Sequence, residues 1–347
     1  LPPYKPQLLP TTKRIRFFLN YFVGPVLFAI LAFSIYKQVQ HKDDWQQKWQ
    51  AIRASINGPG TWKLYAVIVL MLVNWGIEAR KWQVILRHMN KISFAKAFKS
   101  VLSGVAFTMV TPNRMGEFIG RVFYVEEGNR IRAATLTVIG SISQMIVTLV
   151  AGVTGLIVIK EKMSGLEDIS SLSMLWVNGL LFGTIAVVAA ITLFYFKISW
   201  LVRVAEKIPA FKKYIYFIVL LDDFKATELL NILSLSAIRF IVFVVQYLLL
   251  FAVFEVHIPL WEGCCTVAVL FLILAVVPTI ALAELGVRGK ASLALFGLFS
   301  TNSFGILVTT GGIWLINIIL PAVLGSLLIL NVKLFNKNNG LHEKNGS

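Results

Sequence analysis

The sequence predicts an all-α polytopic membrane protein with about six full transmembrane helices plus two re-entrant helical hairpins in an inverted repeat. Three observations carry this. The 347 residues are 57% hydrophobic and only 14% charged, with a mean hydropathy of +0.75, whereas a soluble domain carries about 25% charged residues. The apolar residues fall in runs long enough to cross a bilayer, which takes about 20 of them. Two runs are instead cut short by charged islands rich in Pro and Gly, Pro112 to Arg121 and Pro278 to Lys290.

In chain order, residues 1–14 read as a disordered basic arm and Ile15 to Tyr36 as the first span. Residues 37–60 place Trp45, Trp49, Ile52 and Ile56 at helical spacing among polar residues. That is the pattern of an amphipathic helix lying in the interface. Trp62 to about Arg80 is the second span. The apolar stretch 97–111 is too short to cross and ends at Thr111-Pro112, where the residue before proline is pushed out of helical geometry. Residues 94–131 therefore read as a hairpin of two half-helices. Backbone broken at membrane depth is tolerated only inside protein or beside a wet cavity. Spans follow at Ala133 to Ile159, Met174 to Phe196 and Leu233 to Phe254, with a basic interfacial segment at 197–230. A second broken segment covers 263–300, Phe304 to Leu330 is the last span, and 334–347 is a polar tail. Residues 15–333 form one transmembrane domain.

The net charge is +16. In a soluble protein such an excess points to nucleic acid. Here the basic residues sit in loops between apolar runs, as cytoplasmic membrane loops do. With the N-terminus inside, 21 of the 33 Lys and Arg lie in inside loops, 7 in outside loops and five within the membrane. This orientation puts both termini in the cytoplasm and fits the cell (inner) membrane. It also makes the hairpins open in opposite directions, so that units 61–159 and 233–330 are inverted copies. Secondary transporters are built this way, with the site between the repeats.

Other chemistries find little support. Cys264 and Cys265 are adjacent and have no disulfide partners. His41, His88, His257 and His342 are scattered without metal-ligand spacing. Phosphate loops, nucleophile elbows and HExxH are absent. No catalytic residue, metal or cofactor is assigned. Membrane lipids are the expected surroundings, a homo-oligomer is left open and nucleic acid is excluded.

The charged islands hold the candidate site. Glu117 and Arg121 are one helical turn apart on one face, and so are Glu284 and Arg288. A charge at the bilayer centre costs about 2.5–3.5 kcal/mol even on the lenient insertion scale. One reading is two local salt bridges that pin the hairpins. The other is a polar groove in which Arg114, Arg121 and Arg288 hold an anionic headgroup, since guanidinium forks match phosphate. Glu117 and Glu284 would then compensate charge in the empty site, or bind a proton or cation. Arg80 either marks an ordinary membrane boundary with Glu78 and Trp82 or reaches the first hairpin. Arg239 either snorkels or faces the groove with Gln246. Asn74, Asn178 and Asn317 read as helix–helix glue. The two hairpin tips should bring Glu117 and Arg121 near Glu284 and Arg288.

Pro112-x-Arg114-x-Gly116-Glu117-x3-Arg121 with Tyr124 resembles the first signature of the lysylphosphatidylglycerol synthase transmembrane region family, also called flippase-like domain proteins. Glu78-Ala79-Arg80-Lys81-Trp82 is similar to that family's Arg-Trp ending of an early helix. Leu285-Gly286-Val287-Arg288 resembles its second signature, Gly-Leu-Gly-Val-Arg-Glu, but the acid stands upstream of the arginine, at Glu284, and Gly289 replaces the family glutamate. The resemblance implies a membrane domain that translocates lipids. Family members that also make aminoacyl lipids carry a soluble synthase domain, and none is expected here, where a short tail follows Leu330. The expected function is translocation of an anionic-headgroup lipid, a phospholipid or a polyprenyl-phosphate-linked lipid, by alternating access. The alternatives are a membrane transferase acting on a lipid-linked sugar and a structural subunit of an envelope complex.

Overall fold

A computed structural model of the chain describes residues 60–89, 91–109, 111, 116–126, 129–164, 171–197, 224–277 and 281–329, with isolated positions 50, 53 and 58 ahead of them. The basic arm, the first expected span, most of the amphipathic segment, residues 198–223 of the expected basic interfacial segment and the tail lie outside the described residues.

Nine helices follow in order among the described residues: α1 Thr61–Leu86, α2 Phe94–Thr108, α3 Gly116–Val122, α4 Arg130–Ser164, α5 Ser171–Phe196, α6 Ala226–Val253, α7 Leu260–Val276, α8 Ala281–Phe296 and α9 Ser303–Trp314. A π-helical turn, Leu315–Ile319, continues α9, and the helical run reaches Ile329. Five of these runs, α1, α4, α5, α6 and α9, are long and apolar enough to cross a membrane. The chain is thus an all-helical, multi-pass membrane protein.

The other four helices are short. At about 1.5 Å per residue, the 17 residues of α7 and the 15 of α2 span roughly 25 and 22 Å. A hydrocarbon core is about 30 Å thick. Ser93 caps α2 by accepting from Lys96 N at 3.3 Å. Thr111 ties the break after it: its hydroxyl donates to Phe107 O at 2.9 Å and accepts from Gly116 N at 2.7 Å. Helix α3 then packs back on α2.

Several boundaries move from the sequence expectation. Helix α1 does not end at Arg80. It runs to Leu86, because Trp82, Ile85 and Leu86 are fully buried against α2 and α4. Helix α6 begins at Ala226, seven residues early, where Glu228 accepts from Lys225 N at 3.1 Å and closes the first turn. Helix α4 continues past Ile159 to Ser164.

The order long, short, short, long occurs twice, as α1-α2-α3-α4 and α6-α7-α8-α9. One apolar core gathers the C-terminal half of α1, α2, part of α4 and the start of α6. A second gathers Val67 of α1, the rest of α6, α7, α8 and α9. Helices α1 and α6 run through both in opposite directions, since Gln246 reaches Val67 O (2.9 Å) while Arg239 reaches Asn74 (2.8 Å). The last helix of each unit packs on the first short helix of the other. A methyl on Gly155 of α4 would strike the Cys265 carbonyl of α7, and one on Gly325 would strike the Leu102 carbonyl of α2. Only glycine allows such backbone approach.

Candidate functional site

Asn74, Glu78 and Lys81 are spaced four and three residues apart on α1, which puts them on one helical face. That face meets α6 and α3 in the interior. Glu78, only 3% exposed, is the hub. Its carboxylate accepts from Lys81 Nζ at 2.8 Å, from Arg121 Nη2 at 2.6 Å and from Arg239 Nη1. Arg239 Nε donates to Asn74 Oδ1 at 2.8 Å. Lys81 also donates to Gly140 O at 3.3 Å and to Ser236 Oγ at 3.4 Å. One carboxylate thus joins α1, the first hairpin and α6.

Arg121 is 2% exposed. Its Nη2 also meets Glu117, one turn back on α3, and Glu117 is 29% exposed. The guanidinium lies 5.2 Å from the Trp82 ring centroid, within cation–π range. Trp82 Nε1 donates to Ser100 Oγ at 3.1 Å, and Ser100 donates to the Arg121 carbonyl at 2.9 Å. Ring, hydroxyl and arginine are therefore fixed together. Helix α3 fits this close because Gly120 faces Gly104 and Ser103 of α2; a methyl there would collide with their backbone.

The second hairpin repeats the arrangement. Arg288 of α8, 4% exposed, donates from Nη2 to Glu284 at 2.6 Å and from Nη1 to the Tyr247 hydroxyl of α6 at 3.3 Å. Phe271 of α7 lies under it at 5.8 Å. Each hairpin arginine thus has a glutamate four residues before it, an aromatic face and a partner on a long helix.

The sequence-derived residues sort as follows. Glu117, Arg121, Glu284 and Arg288 sit in the two buried clusters. Arg239 turns inward and pairs with Glu78. Arg80 is exposed and donates to Gln83 of its own helix at 3.2 Å, while its neighbour Lys81 faces the interior. Arg114 lies outside the described residues. The tips do not share one set of bonds: Arg121 is held from α1 and Arg288 from α6. Arg239 and Tyr247, which serve the two clusters, are eight residues apart on α6, about 12 Å along its axis. Sequence reasoning did not assign Glu78, Lys81 or Tyr247 to the site. The available signal for Glu78 and Lys81 was their shared face with Asn74; for Tyr247, its place eight residues after Arg239.

A family model described as the lysylphosphatidylglycerol synthase TM region matches residues 21–325. The chain belongs to that family. The family is a membrane domain associated with lipid-related flippase or synthase function. The match spans both hairpins and all nine described helices up to the last turns of the α9 run. No curated protein and no solved structure matches the chain.

Proposed function

We propose that the protein is a lipid translocator of the cell (inner) membrane. It moves an amphipathic lipid with an anionic headgroup, a phospholipid or a polyprenyl-phosphate-linked lipid, between leaflets by alternating access. The observation that carries this reading is the pair of buried arginines, Arg121 and Arg288, on two short-helix hairpins in a membrane protein. In the proposed arrangement the hairpins are re-entrant and inverted, both termini are cytoplasmic, and Arg114 joins the headgroup set. Glu78, Lys81 and Arg239 hold the first arginine in place, as Tyr247 holds the second. The twice-occurring order of helices and the reciprocal packing of α4 on α7, and of the run that continues α9 on α2 at Gly325, support the repeat.

A membrane transferase would require a carboxylate able to take a proton from an acceptor hydroxyl. Glu78, Glu117 and Glu284 are each already bonded to an arginine, so none of them is poised on an acceptor hydroxyl. The test is reconstitution into vesicles with reporter lipids in one leaflet. Accelerated exchange of phosphatidylglycerol or a polyprenyl phosphate, lost in Arg121→Ala and Arg288→Ala proteins that remain folded, is the expected result. No acceleration for any anionic lipid would refute the reading.

A further inference from the structure

The three buried arginines among the described residues are not used alike. Arg239 is satisfied by the protein: Nε on Asn74, Nη1 on Glu78 and Gln144. Arg121 and Arg288 each leave Nε buried with no hydrogen-bond partner, while Nη2 beside it holds the glutamate four residues back; in Arg121 the same Nη2 also donates to Glu78. A buried donor without an acceptor is unfavourable, and the same atom is left bare in both hairpins, as the Nε atoms of Arg130 and Arg132 are at the start of α4; the hairpin pair shares, besides, a glutamate on the adjoining Nη2. Nε and Nη2 form one edge of the guanidinium, the edge that takes two oxygens of one phosphate. In both hairpins that edge is half-filled.

The glutamates are the less buried partners. Glu117 is 29% exposed and Glu284 13%, against 3% for Glu78. The other partners, Glu78 and Tyr247, sit on long helices and keep each guanidinium in place when its glutamate leaves.

We propose that Glu117 and Glu284 are displaceable stand-ins for the substrate's phosphate. An arriving phosphate takes the Nε–Nη2 edge of Arg121 or Arg288 with two oxygens, fills the bare Nε, and pushes the glutamate toward the polar side. This rests on the reading of the site as a headgroup site and adds the ligand chemistry and the exchange step. The shared chemistry is a phosphate anion, from a lipid or free in solution. No bond is made or broken covalently. Closure of the empty site by the glutamate also keeps other anions from resting there.

The test measures binding to the full chain in detergent, using dioctanoyl phosphatidic acid, dioctanoylglycerol and inorganic phosphate as probes. Glu117→Gln and Glu284→Gln remove the competing charge and leave Glu78 and Tyr247 in place, so both should stay folded. Each is expected to bind dioctanoyl phosphatidic acid about tenfold tighter than the parent protein, with no gain for dioctanoylglycerol, in keeping with the strength of charge-assisted bonds. Arg121→Lys, which cannot form the two-point contact, is expected to bind about tenfold more weakly. Unchanged or weaker binding in folded Glu117→Gln and Glu284→Gln proteins overturns the exchange, as does full affinity in Arg121→Lys. Inorganic phosphate binding as tightly as the lipid overturns the lipid source. Tighter lipid binding without translocation in vesicles leaves the exchange standing and removes the translocator. Translocation without the tightening does the reverse.

Discussion

Glu78→Gln should be the most damaging single change in the first cluster, and its effect can be worked from the geometry. The wild-type cluster holds Lys81, Arg121 and Arg239 against Glu78 and Glu117. Neutralising Glu78 raises the local net charge from one to two and weakens three ion pairs at once. Breaking one buried pair by removing a partner costs about 3–5 kcal/mol, so Glu78→Gln should lose at least that. Glu117→Gln removes one partly exposed pair and leaves Arg121 on Glu78, which points to about 1 kcal/mol or less. The assay is thermal unfolding of the purified chain in detergent, read as the fraction remaining monodisperse after heating. At roughly 2 °C per kcal/mol for a large domain, Glu78→Gln should lower the midpoint by about 6–10 °C and Glu117→Gln by about 2 °C. Adding Lys81→Met to Glu78→Gln restores the original net charge and should recover part of the loss. A midpoint for Glu78→Gln equal to that of Glu117→Gln would refute the hub.

Other substitutions separate packing from charge. Gly120→Ala places a methyl against the backbone of Gly104 and Ser103; overpacking of about 1–3 kcal/mol should appear as a lower unfolding midpoint and as faster proteolysis between α2 and α3. Arg80→Ala, on an exposed side chain that among the described residues bonds within its own helix, should leave the midpoint and lipid exchange unchanged, whereas Lys81→Ala one residue on should lower both. Asn302→Ala removes the amide that donates to Phe254 O (2.9 Å) and Glu255 O (3.2 Å) and accepts from Gly305 N (2.9 Å). About 1–2 kcal/mol of stability should be lost there, seen as faster hydrogen exchange at the start of α9.

Much of the fold was legible because bilayer crossing leaves a compositional mark. The long apolar runs gave five of the described spans, and the breaks before Pro112 and at Pro278 marked where helices stop. Charge in an apolar run was enough to single out Arg121 and Arg288. The hub was not legible for a physical reason. The end of α1 carries Glu78, Arg80, Lys81 and Trp82 in close succession, which is also how a helix looks as it leaves the membrane. Composition cannot tell that this end continues into protein. Nor does it fix rotation: Arg80 and Lys81 differ by about 100° around the axis, and although Asn74, Glu78 and Lys81 share a face, composition does not say whether that face or the one with Arg80 turns inward. The partners of Glu78 lie 43 residues away at Arg121 and 161 away at Arg239, a distance over which one sequence carries no pairing signal.

The two clusters argue against a purely structural role for the hairpin charges. A charge placed at the bilayer centre costs about 2.5–3.5 kcal/mol on the insertion scale, and apolar residues of similar volume often replace a buried ion pair with no loss of stability. Helix α3 is already locked by Gly120 against α2, and α4 and α9 clamp the opposite hairpins through Gly155 and Gly325. Close backbone packing at these glycines thus ties the elements together alongside the ion pairs. Arg239, which joins α1 to α6, has its Nε satisfied, as a structural tie should. The two hairpin arginines are set against aromatic rings, anchored from a long helix, and left with one buried donor bare. A group that serves only as glue is stabilised by filling that donor; a group that must receive a phosphate is better left with it open.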